Sequence, residues 1–390
     1  MKPSSDKKTS VFPHGHIDRS KWKRVRLGEL VAQQIISMGR GNVISKETIE
    51  SNPGCYPVFS SSATGDGIIG HYAEYMFDDE RISWSIDGGG KFFYHPISRY
   101  SVTNVSGWIK VHKQDEISTR FLYLALDAEW QTKHFDYQTK AHPSVIKNEY
   151  TVIYPAIDKQ HEITTTIASC ENHIAALQAL ITKYEAIKKA TVNLLLKPRE
   201  ESETVRLGDV ADIFRGGSPR PIQDYITEDV NGINWIKIGD VATNAKFIEH
   251  TEERIKPSGV AMSRQVKAGD FLLSNSMSFG RPYILKIDGC IHDGWLAIQN
   301  YETTFDVDYL YYLLGSEFVF AQYLENAAGS SVKNLNKEIV SNIILPLIPL
   351  NEQRKIAARI SAIDNVLKDS RAQLAKAQNL KQGMMSYFFG

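Results

Sequence analysis

Val25-Arg26-Leu27-Gly28-Glu29-Leu30 returns 180 residues later as Val205-Arg206-Leu207-Gly208-Asp209-Val210, and this recurrence decides how the chain is organised. A hexapeptide match alone is weak, but matches that keep their order along a chain mark an internal repeat, and a repeat sets architecture before any motif does. Phe121-Leu122-Tyr123-Leu124-Ala125-Leu126-Asp127-Ala128-Glu129-Trp130 is echoed by Tyr309-Leu310-Tyr311-Tyr312-Leu313-Leu314-Gly315-Ser316-Glu317-Phe318 at an offset of 188. Further on, Pro155 and Pro349 precede Asp158 and Asn351, side chains suited to cap a helix by accepting from its free N–H groups. Two long helical stripes follow. Ile163, Ile167, Cys170, Ile174, Leu177, Ile181 and Tyr184 keep a 4-3-4-3 spacing, and Ile356, Ile360, Ile363, Leu367, Ser370, Leu374 and Ala377 repeat it at an offset of 193.

An apolar period of about 3.5 residues is a coiled-coil seam, and each stripe needs something to pack against. The other stripe is the simplest partner; packing of each stripe on its own domain is the competing reading. Lys159 to about Lys197 is some 38 residues, or roughly 55 Å at about 1.5 Å per residue, longer than one small domain. Pro198 stops the first rod, and Lys197-Pro198-Arg199-Glu200-Glu201-Ser202-Glu203 is a charged linker without apolar residues. The growth of the offset from 180 to 193 places extra residues inside the second half. A shared frame with divergent interiors suggests one architecture reading two targets.

Composition agrees with two folded domains. A chain of 390 residues exceeds one ordinary core, and 42% hydrophobic with 23% charged residues is average for a globular protein. Cys55, Cys170 and Cys290 form no close pair and no zinc-like spacing, which fits a reducing cytoplasm. No run of about 18 apolar residues predicts a membrane span, and the polar start predicts a flexible extension over 1–24 rather than a signal peptide. The 45 basic and 45 acidic residues cancel, so any contact with nucleic acid must come from local clustering.

Within each half, short aromatic and β-branched runs alternate with Gly, Ser and Asp turns: Tyr56-Pro57-Val58-Phe59, Arg81-Ile82-Ser83-Trp84, Asn234-Trp235-Ile236-Lys237-Ile238 and Phe271-Leu272-Leu273. The fold class is therefore α+β, with β-rich domains and one supporting helix in each, over Arg120 to Trp130 and Tyr309 to Glu325. Gly65-Asp66-Gly67-Ile68-Ile69-Gly70 satisfies the dinucleotide spacing, but the aromatic run after it reads as strand, not as the helix whose N-terminus would hold a pyrophosphate. Gly88-Gly89-Gly90-Lys91 lacks the earlier Gly and following Ser or Thr of a P-loop. There is no Glu-x-Lys, no His-Glu-x-x-His and no Asn/Asp-Pro-Pro-aromatic of an amino-methyltransferase, so the chain carries no catalytic, cofactor or metal motif.

At this point the residues carry a resemblance over nearly the whole chain. Trp22 to Leu30 and Glu203 to Val210 resemble the domain openings of Type I restriction-modification specificity subunits. Arg215-Gly216-Gly217-Ser218-Pro219, Ile233 to Asp240 and Ser274 to Gly280 are similar to further segments of that family's target recognition domains, as are Tyr56 to Ser61, Gly65 to Gly70 and Ile86 to Gly90 in the first half. Leu347 to Ile356 is close to the family's helix start; Tyr154 to Ile163 keeps only the Pro, the Gln and the Ile.

The resemblance implies a non-enzymatic, DNA-binding subunit of a host-defence complex: two target recognition domains arranged as an internal repeat, joined by two long helices forming an antiparallel coiled coil. Each domain would read one half of a gapped site in double-stranded DNA. The helices would set the spacer and dock two methylation subunits, with motor-nuclease restriction subunits completing the complex. S-adenosylmethionine, ATP and magnesium would belong to those partners. The boundaries are an extension over 1–24, domains over 25–155 and 201–349, and helices over 156–200 and 350–390. DNA-contact candidates are basic or amide side chains beside glycines, where backbone can approach phosphate and long side chains can reach base edges. They are Arg40, Asn42, Lys91 and Lys140 in the first domain and Arg215, Arg220, Lys237, Asn275 and Arg281 in the second, each weighed against a solvated surface charge. Lys147 and Lys337 occupy matching places before the last strand of each half. The rival reading is an adaptor whose helices assemble partner proteins and whose β domains bind protein or glycan.

Overall fold

The computed structural model describes residues 17–61, 66–133, 141–198, 201–241, 245–275, 280–327 and 335–390. Its contacts divide the chain into two compact units, Met1–Gln178 with Ala372–Gly390, and Ala179–Arg371. The repeated hexapeptide performs the same task in each. Lys23–Arg26 is a strand antiparallel to Thr151–Tyr154, and Thr204–Arg206 is antiparallel to Ile344–Pro346. Fully buried Leu27 and Leu207 then open the short helices Leu27–Ala32 and Leu207–Val210. The glycine that follows is a contact point: a Cβ on Gly28 would lie 3.2 Å from the Lys147 carbonyl oxygen, and one on Gly208 2.8 Å from Ser341 Cβ. The first domain begins earlier than the sequence suggests. Lys23 and Arg24 are strand, Trp22 packs on the core, and Arg19 donates to the carbonyls of Tyr387 and Gly390, so a flexible extension reaching residue 24 is corrected.

The main sheet of the first unit runs Ile36–Arg40, Ser106–Val111, Arg81–Ser85, Phe92–His95, all antiparallel. That of the second runs Asp212–Arg215, Trp295–Gln299, Phe271–Ser274, Pro282–Leu285 in the same order and sense, with Phe247–Ile248 added in parallel. Ile82, Trp84, Phe92 and Ile109 bury one face of the first sheet against Phe121 and Leu122 of the helix Thr119–Trp130. Phe271, Leu273, Ile284 and Leu296 do so against Tyr309 and Leu310 of the helix Val307–Leu314. The secondary sheets differ. The first unit has three strands, Ile68–Tyr72, Pro53–Phe59 and Ser101–Val102; the second has five between Ile226 and Ile291. The expected single helix over Tyr309 to Glu325 is two, Val307–Leu314 and Glu317–Ala327, because the chain turns at Gly315 and the Ser316 hydroxyl, 3.3 Å from the Val319 N–H, caps the second.

The long helices are Ile157–Leu196 and Leu350–Phe389, 40 residues each. Each begins just before its expected cap, so Asp158 and Asn351 lie inside the first turn, where Asp158 suits the positive end of the helix dipole. The anchoring falls instead to two fully buried glutamines. Gln160 accepts from the Ser118 N–H at 3.0 Å and donates to the carbonyls of Glu116 (3.0 Å) and Pro155 (2.9 Å). Gln353 accepts from the Asp306 N–H at 2.8 Å and donates to those of Thr304 (2.9 Å) and Ile348 (2.8 Å). Each glutamine thus ties a helix start to the N-terminus of its domain's core helix.

Along the seam, Ile163, Ile167, Leu177, Ile360 and Leu367 are buried, and Ile174, Ile181, Ile356, Ile363 and Leu374 are half-buried. In the first unit Ile163, Ile167 and Cys170 share a core with Met384, Leu380 and Phe388, and the Cys170 thiol donates to the Ala377 carbonyl at 3.5 Å. In the second, Val192 and Leu196 share a core with Ile356, Ala357 and Ile360. In the second unit Glu185 meets Arg371 at 2.6 Å and Lys188 meets Asp364 at 2.7 Å, so there one helix ascends in residue number as its neighbour descends.

Candidate nucleic-acid interface

Of the sequence-predicted residues, Arg40, Asn42, Lys91, Arg215, Asn275 and Arg281 fall on a backbone frame that both units build at one end of the main sheet. In the first, the strand ending at Arg40 continues through Gly41 and Asn42, whose N–H groups donate to the carbonyls of Ser106 (3.0 Å) and Val102 (3.2 Å). In the second, the strand ending at Arg215 continues through Gly216 and Gly217, which donate to Trp295 (2.9 Å) and Ile291 (3.2 Å). The facing loop is the same turn in each, closed by Ser106 N–H to the Thr103 carbonyl at 2.9 Å and by Trp295 N–H to the His292 carbonyl at 3.0 Å. A glycine is obligatory where the strands meet it, since a Cβ on Gly41 or on Gly216 would come within 2.1 Å of a carbonyl oxygen of Val102 or His292.

The hairpin beside the turn is also shared. Ile86 N–H donates to the Val105 carbonyl at 3.0 Å, and Asn275 N–H to that of Gly294 at 3.0 Å. Gly90 donates to Ser85 (3.1 Å) and Gly280 to Ser274 (3.0 Å), both glycines at positive φ, 78° and 73°, where a side chain would be strained. Ser85 and Ser274 in turn donate to the carbonyls of Lys91 and Arg281. Arg40 therefore corresponds to Arg215, Asn42 to Gly217, and Lys91 to Arg281. Four of the candidates are thereby brought into pairs that no sequence offset reveals.

The side chains differ in how far they are committed. Arg40 and Arg215 are exposed and hold the carbonyl of the turn: Arg40 Nη2 lies 2.8 Å from the oxygen of Asn104, Arg215 Nε 3.5 Å from that of Asp293. Asn42 and Arg220 are exposed, the latter 3.7 Å from an Asp293 carboxylate oxygen. Lys91 lies over the Phe93 ring at 5.1 Å. Buried Asn275 donates to the Asp293 carbonyl at 2.9 Å, a structural contact. Lys237 is committed to Glu253 at 2.7 Å, which raises its pKa. Lys140 lies outside the described residues. The matching of Lys147 with Lys337 is corrected: Lys147 lies in the last turn of the helix Pro143–Glu149, whereas Lys337 opens the helix Lys337–Ser341 and lies over the Phe214 ring.

The dinucleotide-like run ends in the strand Ile68–Tyr72, with no helix to receive a pyrophosphate. Gly88 to Lys91 is a tight hairpin whose Gly89 carbonyl accepts from the Trp130 indole at 2.7 Å. Among the described residues no group of three His, Cys, Asp or Glu side chains could hold a metal ion, and no helix is long and apolar enough to cross a membrane. Sequence reasoning missed Asn104 and Asp293, the turn residues gripped by the two arginines. Thr103-Asn104-Val105-Ser106 and His292-Asp293-Gly294-Trp295 share only the Asn/Asp character of their second residue, too little to align.

A model of the Type I restriction modification DNA specificity domain matches residues 19–186 and again 199–377. The chain belongs to this family. It is a specificity subunit with two recognition domains, and the family's specificity subunits are non-catalytic. It is 22% identical over 368 residues to a protein named as a type I specificity subunit in Mycoplasma pneumoniae, covering 91% of this chain and 94% of that one. It is 23% identical over 410 residues to the specificity subunit of a type I restriction enzyme of Methanocaldococcus jannaschii, covering 96% and 93%. In fold it is similar to the crystal structure of a type I S subunit from M. genitalium, with a TM-score of 0.62, 14% identity and 95% and 96% of the chains covered.

Proposed function

We propose that each recognition domain of this subunit reads one half of a bipartite, gapped site in double-stranded DNA, and that the two long helices pair as an antiparallel coiled coil that fixes the spacer. The observation that carries the reading is the duplicated frame: one backbone arrangement, built twice, presenting different side chains. Such a pair of readers suits an asymmetric site. Readers on one face of B-DNA must stand about 34 to 36 Å apart, or a multiple of that, and a stiff pair of helices supplies such a distance.

The coiled-coil reading is supported by two reciprocal ion pairs. Glu171 meets Lys381 at 2.8 Å in the first unit, and Lys188 meets Asp364 at 2.7 Å in the second. Glu171 and Asp364 are related by the 193-residue offset of the seam, as are Lys188 and Lys381, so the pairs are those of two equivalent helices meeting head to tail. The same helices would dock two methylation subunits, with motor-nuclease restriction subunits joining them in the cytoplasm. The partners would bring S-adenosylmethionine, ATP and magnesium.

Exchanging residues 19–155, which keeps the strand Lys23–Arg26 whole, for the corresponding domain of another specificity subunit should change one half-site and leave the other intact. A gel shift of the subunit with its methylation partners separates this function from that of a protein-assembling adaptor, which the neutral net charge also permits. Binding should be sequence-selective and weaken steeply with salt; indifference to both would favour the adaptor.

A further inference from the structure

We propose that Asn104 and Asp293 are the specificity-determining residues of this common frame, Asn104 selecting adenine in one half-site and Asp293 selecting a base with an exposed amino group, cytosine foremost, in the other. The inference rests on the DNA-reading function proposed above and names residues for it.

Three observations carry it. The first is position. Each residue is second in the turn between the secondary sheet and the central strand of the main sheet, and its carbonyl is held by the arginine that ends the neighbouring strand. Loop and arginine therefore present side chains from one fixed backbone, which a direct reader needs. The second is preorganisation. Asp293 Oδ1 accepts from the Ser218 hydroxyl at 3.1 Å and faces His292 Nε2 at 3.0 Å. His292 Nδ1 is occupied as an acceptor from the Gly294 N–H at 3.0 Å, so the ring proton resides on Nε2 and points at the carboxylate. The other oxygen, Oδ2, lies 3.7 Å from the 83% exposed Arg220. The third is charge. A carboxylate among Arg215, Arg220 and two glycines would repel phosphate, so its place at such a surface is explained by a donor on a base edge.

The chemistry follows from the groove. In the major groove cytosine offers its N4 amino group as a donor, which a carboxylate accepts, whereas adenine offers a donor and an acceptor side by side, which an amide matches with both of its atoms. The two units thus differ at one equivalent position by the change that converts one preference into the other.

The test uses the subunit assembled with its methylation partners and a panel of duplexes carrying every base at each position of both half-sites. Asp293→Asn should move preference at one position of one half-site from cytosine to adenine by about 10- to 100-fold, leaving the other half-site unchanged. Asn104→Asp should do the converse. The unmodified protein should lose a similar factor on DNA in which that cytosine is replaced by a pyrimidinone lacking the 4-amino group, a measurement that needs no variant to fold. Uniform weakening across all sequences, or an unaltered preference in variants and with the pyrimidinone, would overturn the assignment. Absence of any sequence preference in the unmodified protein would instead defeat the DNA-reading function itself.

Discussion

At Gln160 and Gln353 a single buried carboxamide bonds three backbone groups at a helix start. Leucine fills a similar volume but leaves those groups unpaired, so Gln353→Leu should destabilise its unit by about 3 kcal/mol. Urea unfolding measures this, and a loss below about 0.5 kcal/mol would show that the amide is not an anchor. A second residue ties the first unit to pH. His95 is buried, 2.7 Å from the Ser83 hydroxyl and stacked on Tyr100, and burial holds its imidazole down at about 4. The unfolded chain takes up this proton near pH 6.5 and the folded one only near 4, so the stability His95 permits is complete above about 6.5 and falls away toward 4. The loss is on the order of 3 kcal/mol. Unfolding midpoints at pH 7 and pH 5 should diverge more in the native protein than in His95→Gln; equal divergence would rule the residue out.

Between elements, the pairs Glu171–Lys381 and Lys188–Asp364 tie the long helices to each other and to the domains. Glu171 also pairs with Arg120 of the core helix Thr119–Trp130, and Asp364 accepts from the Tyr312 hydroxyl at 2.8 Å. All four side chains of the two pairs are between 25% and 37% exposed, so solvent screens them and a double-mutant cycle on either should give only about 0.5 to 1 kcal/mol. Reversing the second pair, as Lys188→Asp with Asp364→Lys, should restore most of what either single change removes, because the other neighbour of Asp364 is the neutral Tyr312 hydroxyl; no rescue would mean that the charges do not meet. The two long helices and their shared apolar spacing were legible because a 3.5-residue period is local. The break at Gly315 was not, since apolar spacing continues through it, and neither was the start of the first domain, whose strand Lys23–Arg26 is recognisable only once paired with Thr151–Tyr154.

For the whole molecule, the two-fold plan could be read from two short matches and two helical stripes, while the equivalence of the loops proposed to read DNA could not. Arg40 and Arg215 stand 175 residues apart, yet Ser85 and Ser274 stand 189 apart, because the second unit inserts its extra residues within its larger secondary sheet. Only backbone hydrogen bonds reveal that these loops coincide. One heptad added to each long helix at paired positions should lengthen the spacer of the target and leave both half-sites unchanged. The most direct measurement of the central claim is single-molecule methylation sequencing of DNA from cells carrying this subunit with its methylation partners. The account predicts one asymmetric motif of two short half-sites separated by a spacer of fixed length; a single contiguous motif, or half-sites at variable spacing, would contradict it.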